Sequence, residues 1–261
     1  MENTWMTVFG IAFIFIATAL GASVVLFFKG EISPKTNALF LGLASGIMFA
    51  ASVWSLILPS IEQAEKYFGK FAIFPAVMGL IVGGAFLVIL DKAALRLLPS
   101  IEETETPDKN KRYLRLFLAM TLHNIPEGLA VGFAFGTAAA LGTTGAYLSA
   151  LGLALGIGLQ NFPEGVAVAL PLKTSSNNKK AFFLGISSGI VEPIFAVIGY
   201  FFAAYLRVLQ PWVLAFSAGA MLFVVAQDLL PEAASSDSGQ RGAWGFLIGF
   251  IVMMALDIVL A

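Results

Sequence analysis

Eight long apolar stretches, separated by short polar segments, follow one another along this sequence. Each is close to the ~20 apolar residues that a helix needs to cross the hydrocarbon core of a membrane. They lie at about 6–28, 37–60, 71–92, 112–137, 146–171, 180–206, 211–231 and 242–260. The pattern predicts an all-α integral membrane protein in which residues 1–261 form one domain of eight transmembrane helices.

The positive charges of the loops predict how these helices are oriented. Lys and Arg are concentrated in and beside the loops that follow the first, third and fifth spans. They are Lys29, Lys35, Lys92, Arg96, Lys109, Lys111, Arg112, Arg115, Lys173, Lys179 and Lys180. Because loops rich in Lys and Arg remain in the cytoplasm, these loops are predicted to be cytoplasmic and both termini extracytoplasmic. The longest loop, at about 99–111, carries a charge run more typical of a solvated segment than of a metal sensor.

Composition excludes several classes of protein and of site. Hydrophobic residues make up 59% of the chain and charged residues 12%, against roughly 25% charged residues in soluble domains. The net charge of −1 provides no basic surface for nucleic acid. The chain has no Cys and a single His. This excludes disulfides, thiolate metal sites, three-His zinc sites and the two-His motif of zinc proteases.

Two internal repeats indicate an inverted symmetry. Residues 123–131 (HNIPEGLAV) and 160–168 (QNFPEGVAV) match at six of nine positions on consecutive, antiparallel spans. A fainter match relates residues 46–59 of the second span to residues 219–231 of the seventh. A 3+2+3 arrangement, with spans 1–3 inverted against spans 6–8, explains both. Inverted repeats with helices interrupted by Pro or Gly are typical of secondary transporters, at the binding site.

Ionisable residues deep within the spans mark the candidate site. They are His123, Glu127, Glu164, Glu192 and Asp228. Such groups cost ~2.5–3.5 kcal/mol each on insertion scales and are usually functional. A single intramembrane His is as often a packed polar residue as a ligand, but two copies of one motif at matched depth favour function.

The spacing within each motif directs its polar side chains to one side of a helix. His123 and Glu127 are four residues apart, and Gln160 and Glu164 repeat that spacing. Asn124 and Asn161 each lie three residues before the Glu of their own motif. Imidazole, carboxylate and amide oxygen are ligands for zinc, iron(II), manganese or cobalt, whereas the absence of thiolates disfavours copper(I).

Proline and glycine in these segments predict a kinked and closely packed site. Pro126, Pro163 and Pro193 each remove a helical hydrogen bond, and a freed carbonyl in a membrane must face protein, water or an ion. We therefore expect a hydrated cavity at this depth. Gly128 and Gly165, which follow the two glutamates, are expected to allow close helix approach.

Three further features have two interpretations each. Met48 is by default a core residue and otherwise a soft supplementary ligand. Gln227 and Asp228 either line the route of an ion or form a hydrogen-bonding pair between helices. Gly245 and Gly249 are better explained by helix packing than by a specific dimer contact.

The chain resembles the ZIP (Zrt/Irt-like) family of metal transporters at these same residues. The resemblance rests on His-Asn-Ile-Pro-Glu-Gly at 123–128, Gln-Asn-Phe-Pro-Glu-Gly-Val-Ala-Val at 160–168 and Val-Glu-Pro at 191–193. It extends over most of the chain, and the Gln-Asn form of the second motif is similar to the bacterial GufA-type branch.

The resemblance implies uptake of zinc and related divalent ions towards the cytoplasm. It also implies a set of metal ligands and an elevator-like sliding of one helix bundle against another. The implied ligands are His123, Asn124, Glu127, Gln160, Asn161, Glu164, Met48 and Glu192. Family members can hold two metal ions bridged by the residue that corresponds to Glu164. Here Gln160 and Asn161 are neutral where some relatives have His or Asp, and the loop between spans 3 and 4 has no His.

The sequence therefore predicts a multi-pass carrier of the bacterial inner membrane rather than an enzyme. Its substrate is expected to be zinc, with iron(II), manganese, cobalt or cadmium as further candidates, and no organic cofactor is expected. One ion should bind firmly near His123 and any second ion weakly near Asn124 and Glu192. The bilayer and a possible homodimer are the expected partners. A metal-selective channel, an intramembrane metal-dependent hydrolase and a receptor with a static metal are the alternatives.

Overall fold

Helices make up most of the chain in the computed structural model, which describes residues 3–27, 33–97, 109–172, 177–205, 207–234 and 239–260. These residues contain no strand and form eight long helical segments. The segments are α1 (Thr4–Phe27), α2 (Pro34–Phe71), α3 (Ile73–Leu97), α4 (Lys109–Leu141), α5 (Thr144–Leu172), α6 (Asn178–Gly189 continued by Val191–Tyr205), α7 (Gln210–Ala234) and α8 (Gly239–Leu260).

Seven of these helices, all except α4, are long and apolar enough to cross a membrane. Helix α4 contains the polar residues of the first motif, which lower its average hydropathy. The predicted spans agree with the helices within a few residues, except that α2 continues beyond residue 60 to Phe71. Of the predicted loop at 99–111, residues 99–108 lie outside the described residues, and residues 109–111 already belong to α4.

The short turn between α4 and α5 has a local cause. Gly142 adopts a φ of 69°, the left-handed conformation in which helices often end at glycine. The side chain of Thr143 then accepts a hydrogen bond from the backbone N–H of Ala146 at 3.4 Å, as an N-cap residue does. The two helices that carry the motifs are thus separate and antiparallel neighbours, as predicted.

Helices α2 and α7 are interrupted in the same way at matching places. Each contains a wide π-helical turn, at Ser52–Ile57 in α2 and at Val225–Leu229 in α7. A Leu-Pro pair follows directly in both helices. Proline has no N–H to donate and clashes with the carbonyl four residues earlier, and a wider turn accommodates both effects. The faint sequence repeat therefore corresponds to a shared backbone irregularity.

Close contacts between glycines and backbone carbonyls bring the helices together in pairs. The most extensive packing joins α1 to α5, α4 to the second half of α6, α2 to α8 and α3 to α7. Gly128, Gly132 and Gly136 line the face of α4 towards α6, where a Cβ atom would run into backbone carbonyls.

The packing roles predicted from the sequence for four glycines are confirmed. A Cβ at Gly128 would meet the backbone of Glu192 on α6, and one at Gly165 would meet the backbone of Thr18 on α1. Both glycines therefore allow close helix approach. Gly245 and Gly249 face the backbone of α2 within the same chain, so their role is packing.

We expect Gly132→Ala to destabilise the protein, because the added methyl group would collide with the carbonyl of Ala196. Overpacking of this kind typically costs about 1–3 kcal/mol. Gly145→Ala is the matched control, since nothing lies within 4 Å of a Cβ at that position. Thermal unfolding of the purified protein in detergent measures both, and equal melting temperatures for the two variants would contradict the packing argument.

Candidate metal centre

The polar residues of the first motif lie at the middle of α4. His123 is 14 residues after Lys109, and Glu127 is 14 residues before Leu141. With a rise of 1.5 Å per residue, each is about 21 Å from its nearer helix end. Pro126 lies inside this continuous helix. The motif thus lies at the middle of the helix, far from both of its ends.

His123, Glu127 and Glu164 form a buried cluster between α4 and α5. One ligand atom from each lies within 4.8 Å of the other two. The exposed fractions of the three residues are 1%, 0% and 3%. Nε2 of His123 lies 3.1 Å from Oε2 of Glu164. The structure therefore assembles one imidazole and two carboxylates, the three groups that the motif spacing predicted to converge.

The first residue of each motif contacts the glutamate of the other motif. His123 of α4 contacts Glu164 of α5, and Nε2 of Gln160 on α5 donates to Oε1 of Glu127 on α4. The asparagines also occupy matching positions. Nδ2 of Asn124 donates to a carbonyl of α6, that of Ser188, and Nδ2 of Asn161 donates to a carbonyl of α1, that of Ile14. The two copies are related in space as well as in sequence.

Each of the six motif residues leaves one buried polar atom without a hydrogen-bond partner among the described residues. These atoms are Nδ1 of His123, Oδ1 of Asn124, Oε2 of Glu127, Oε1 of Gln160, Oδ1 of Asn161 and Oε1 of Glu164. Buried polar atoms are nearly always hydrogen-bonded. One of the six is the histidine nitrogen and the other five are oxygens, and both kinds of atom can contact a cation. The donor set therefore fits a borderline or hard divalent ion.

The charges of this region are unbalanced. Glu127, Glu164 and Glu192 are all buried, whereas no Lys or Arg is buried among the described residues. An ionised carboxylate buried without a partner is strongly unfavourable. A divalent cation among these side chains would supply the missing positive charge.

Glu192 differs from the other two glutamates because both of its oxygens are hydrogen-bonded. Oε1 accepts from Oγ1 of Thr18 at 3.0 Å, and Oε2 accepts from Nδ2 of Asn161 at 2.6 Å. Glu192 lies two positions beyond the turn at Ile190, which divides α6, and directly before Pro193. The predicted effect of Pro193 on the helix is therefore confirmed.

Three other predicted residues lie outside this cluster of hydrogen bonds. Met48 is fully buried on α2 and belongs to the apolar core. Gln227 is exposed, whereas Asp228 is half-buried and within electrostatic range of His123 and Asp91. The roles of Met48 as a ligand and of Gln227 and Asp228 along an ion route stay predictions.

Two residues of the site had no signal in the sequence. Thr18 is a small polar residue within an apolar span and contacts Glu192. Ser217 of α7 donates to the carbonyl of Pro126 at 2.8 Å. Isolated Ser and Thr residues are common in membrane helices, so only their contacts distinguish them.

A small cavity lies on the side of the site predicted to be extracytoplasmic. Its volume is about 90 Å³, and its walls come from α2, α4, α5 and α7. The polar groups of its walls are Ser55, Gln63, Thr137, Ser149 and Gln210, and no charged residue lines it. None of the residues that line it belongs to either motif, so the hydrated cavity expected at the depth of the motifs stays a prediction.

Comparisons with known proteins identify relatives over the whole length of the chain. A sequence profile described as "ZIP Zinc transporter" matches residues 110–257. Zinc transporter ZIP11 of Homo sapiens is 33% identical in an alignment of 336 positions, which covers 98% of this chain and 98% of the relative. Zinc transporter GufA of Myxococcus xanthus is 36% identical over 252 residues, covering 94% of each chain. Zinc transporter ZupT of Stenotrophomonas maltophilia is 29% identical, covering 99% and 97%.

We expect Glu164→Gln to weaken the binding of Zn²⁺ to the purified protein. The change keeps the shape of the side chain but removes the carboxylate that contacts His123. Partners one shell further from a metal contribute 10–100-fold to affinity, so loss of a ligand should raise the Kd by at least about 10-fold. Competition with a fluorescent zinc indicator measures it. Glu65→Gln, at an exposed position of α2, is the control, and an unchanged Kd for Glu164→Gln would contradict the assignment.

Proposed function

This chain belongs to the ZIP zinc transporter family, and on that premise we propose that it carries zinc or a related divalent cation across the membrane towards the cytoplasm. Members of this family are transporters rather than enzymes. The observation that carries the proposal is the set of six buried, unpartnered atoms on the paired motifs. The metal is the substrate of the protein, and no organic cofactor is proposed.

His123, Glu127 and Glu164 are proposed as the core ligands, with the side-chain oxygens of Gln160 and Asn161 completing the shell. In a tetrahedral site with Zn–N and Zn–O bonds of 2.0–2.1 Å, neighbouring ligand atoms lie about 3.3 Å apart. The distance of 3.1 Å between His123 and Glu164 already approaches that spacing. The other ligand atoms, within 4.8 Å, need to move inwards by about 1.5 Å.

One firmly bound ion is favoured over two. A second ion beside Asn124 would need an oxygen of Glu192, and both of these oxygens are engaged by Thr18 and Asn161. An ion there would share these oxygens with the two donors, since each carboxylate oxygen has two lone pairs, and their negative charge is already partly compensated by the hydrogen bonds. The neutral side chains of Gln160 and Asn161 also add no negative charge to compensate a second cation.

The transmembrane arrangement is proposed to be eight spans in a 3+2+3 inverted repeat, with both termini extracytoplasmic. The packing pattern supports it, because exchanging α1 with α6, α2 with α7, α3 with α8 and α4 with α5 leaves the four main helix pairs the same. The matching π-helical turns of α2 and α7 agree with that exchange. We propose the bacterial inner membrane as the location, in line with the bacterial relatives. A homodimer stays a prediction.

Transport is proposed to occur by alternating access, through sliding of two helix units. The first unit is α1, α4, α5 and α6, which carries every proposed ligand except Met48. The second unit is α2, α3, α7 and α8. Among the described glycines, each close backbone contact falls within one unit or the other. The single close glycine contact between the units, Gly156 against Met253, involves a flexible side chain. Backbone contacts lock helices together, whereas side-chain contacts permit sliding.

We expect proteoliposomes that contain the wild-type protein to take up Zn²⁺. Glu164→Ala should reduce that uptake at least about 10-fold, because it removes a proposed metal ligand. A panel of Zn²⁺, Fe²⁺, Mn²⁺, Co²⁺ and Cd²⁺ would rank the substrates. Glu65→Ala, at an exposed residue on α2, is the control for reconstitution. No flux of any ion with the wild-type protein would refute the transport proposal.

Cross-linking between introduced cysteines tests the sliding of the two units, and the chain has no native Cys that could react in their place. Gln63→Cys with Ser149→Cys joins α2 to α5 across the units, and Leu141→Cys with Ser149→Cys joins α4 to α5 within one unit. All three positions line the same outer cavity. A flexible bis-maleimide should therefore stop uptake through the first pair and spare it through the second.

The matched pair separates immobilisation from simple blockage of the cavity, because a blocking reagent would affect both variants alike. Retention of uptake after complete cross-linking of both pairs would favour the alternative of a metal-selective channel. Loss of uptake in both would show that the reagent obstructs the cavity and would remove the support for sliding.

A further inference from the structure

A hydrogen bond joins the two helix units at the depth of the motifs. Oγ of Ser217, on α7 of the second unit, donates to the carbonyl oxygen of Pro126, on α4 of the first unit, at 2.8 Å. Pro126 directly precedes Glu127, a proposed core ligand. The hydrogen bonds described above for the polar side chains of the motifs stay within the first unit. The bond from Ser217, in contrast, crosses the surface along which the units are proposed to slide.

The surroundings of Ser217 strengthen this hydrogen bond. The side chain is fully buried, so water does not compete for its hydroxyl group. The neighbouring residues Leu214, Ala218 and Met221 of α7 belong to the apolar core, and a hydrogen bond in such low-dielectric surroundings is electrostatically stronger than in water. A carbonyl oxygen has two lone pairs, so that of Pro126 can accept from Ser217 in addition to a helical N–H group.

Ser217 also has a second acceptor, on its own helix. The hydroxyl group of a helical Ser can donate to the carbonyl four residues earlier, which for Ser217 is the carbonyl of Val213. Ser45 and Ser52 on α2 make bonds of this type, at 2.6 Å and 2.8 Å. Ser217 donates to α4 instead. Rotation of its hydroxyl group towards Val213 would release the bond to α4 without leaving a buried donor unpaired.

The outer cavity indicates what release of this bond would change. Its walls come from both units, and Thr137 of α4 and Gln210 of α7 line it, each 5% exposed. The residues described in its walls all lie outside the motifs. The three proposed core ligands are at most 3% exposed. An ion in the cavity would therefore reach these ligands only after the units have moved relative to each other.

We propose that Ser217 is a latch between the two units. Its bond to the carbonyl of Pro126 holds α4 against α7 in the conformation described here, in which the metal centre is closed towards the outer cavity. Exchange of that bond for one to the carbonyl of Val213 accompanies the sliding that opens the outer side. This inference rests on the proposed function, because it assumes that the two units slide. It assigns a role in transport to a residue that is not a proposed ligand.

The test is the rate at which a water-soluble maleimide labels Thr137→Cys in the full-length purified protein, which has no native Cys. Oγ1 of Thr137 has no hydrogen-bond partner among the described residues, so this change breaks no described bond. Because Thr137 is nearly buried, labelling should proceed through the conformation that is open on the outer side. A hydrogen bond between membrane helices contributes about 0.6 kcal/mol, which is about 3-fold in a population. We expect Ser217→Ala to accelerate labelling by about 3-fold.

Ser60 provides a matched control within one unit. It is also fully buried, and its hydroxyl group donates to a proline carbonyl, that of Pro211, at 2.7 Å. Both partners belong to the second unit, so Ser60→Ala should leave the labelling rate of Thr137→Cys unchanged. Gly145→Cys, at a position where nothing lies within 4 Å of a Cβ, reports the reactivity of the reagent alone. Its labelling rate should be the same with and without Ser217→Ala.

A second pair of variants isolates the hydroxyl group and serves if Ser217→Ala does not fold. Ser217→Thr and Ser217→Val add side chains of nearly equal shape, and only the first keeps the hydroxyl group. The Thr variant should therefore keep the slow labelling of Thr137→Cys. The Val variant should be labelled about 3-fold faster than the Thr variant, for the same reason as Ser217→Ala.

The outcomes separate this inference from the proposed function. Absence of uptake of any divalent ion by wild-type proteoliposomes would refute the function, and with it the sliding that the latch requires. If the wild type does transport, an unchanged or slower labelling rate in Ser217→Ala would overturn the latch alone. An equal acceleration by Ser60→Ala would indicate general loosening of the protein and would also overturn the latch.

Discussion

Three carboxylates buried at mid-depth among apolar helices are the constraint on which the rest of this structure depends. No Lys or Arg is buried with them among the described residues. Charged groups in such a place are expensive unless they are paired. His123, hydrogen-bond donors from amides and hydroxyls, and a cation from solution are the means of compensation that these residues offer. A site that lacks internal countercharge favours a divalent cation, and reversible occupancy of that kind is what a carrier requires.

Glycine packing is what allows so many polar groups to meet at one depth. The absence of side chains at Gly128 and Gly165 brings α6 against α4 and α1 against α5. Thr18 and Glu192 reach the motif residues only because of that proximity. The same packing brings together the helices that carry the proposed core ligands. The close helix contacts and the chemistry of the site therefore have a common origin in the distribution of glycine.

Much of this arrangement could be predicted from the sequence, because it follows from periodicity. A spacing of four residues directs His123 and Glu127 to one face of a helix, and the copied motif requires the same of Gln160 and Glu164. The positions of the helices follow from apolar length, with α4 least apolar because it carries a motif and also begins with several basic residues. Periodicity does not report contacts between distant segments, so the hydrogen bond from Thr18 to Glu192 could not be predicted. It also does not report which oxygens of a carboxylate accept hydrogen bonds, so the contacts that distinguish Glu192 from Glu127 and Glu164 could not be predicted.

The proposed inverted repeat is a symmetric arrangement of helices, but the side chains at its matching positions differ. The first residues of the two motifs make reciprocal contacts, yet one is an imidazole and the other an amide. Thr18 and Glu192 each lie four residues after the carbonyl that accepts from a motif asparagine, yet one is a neutral donor and the other an acceptor, and they bond to each other. A symmetric set of ligands would offer two equivalent cation positions. These differences place the single imidazole of the chain on one side of the site, against Glu164. The proposed symmetry would provide the two-sided geometry that a carrier needs, and the differences between the matching side chains support the proposal that one ion is held more firmly than any second.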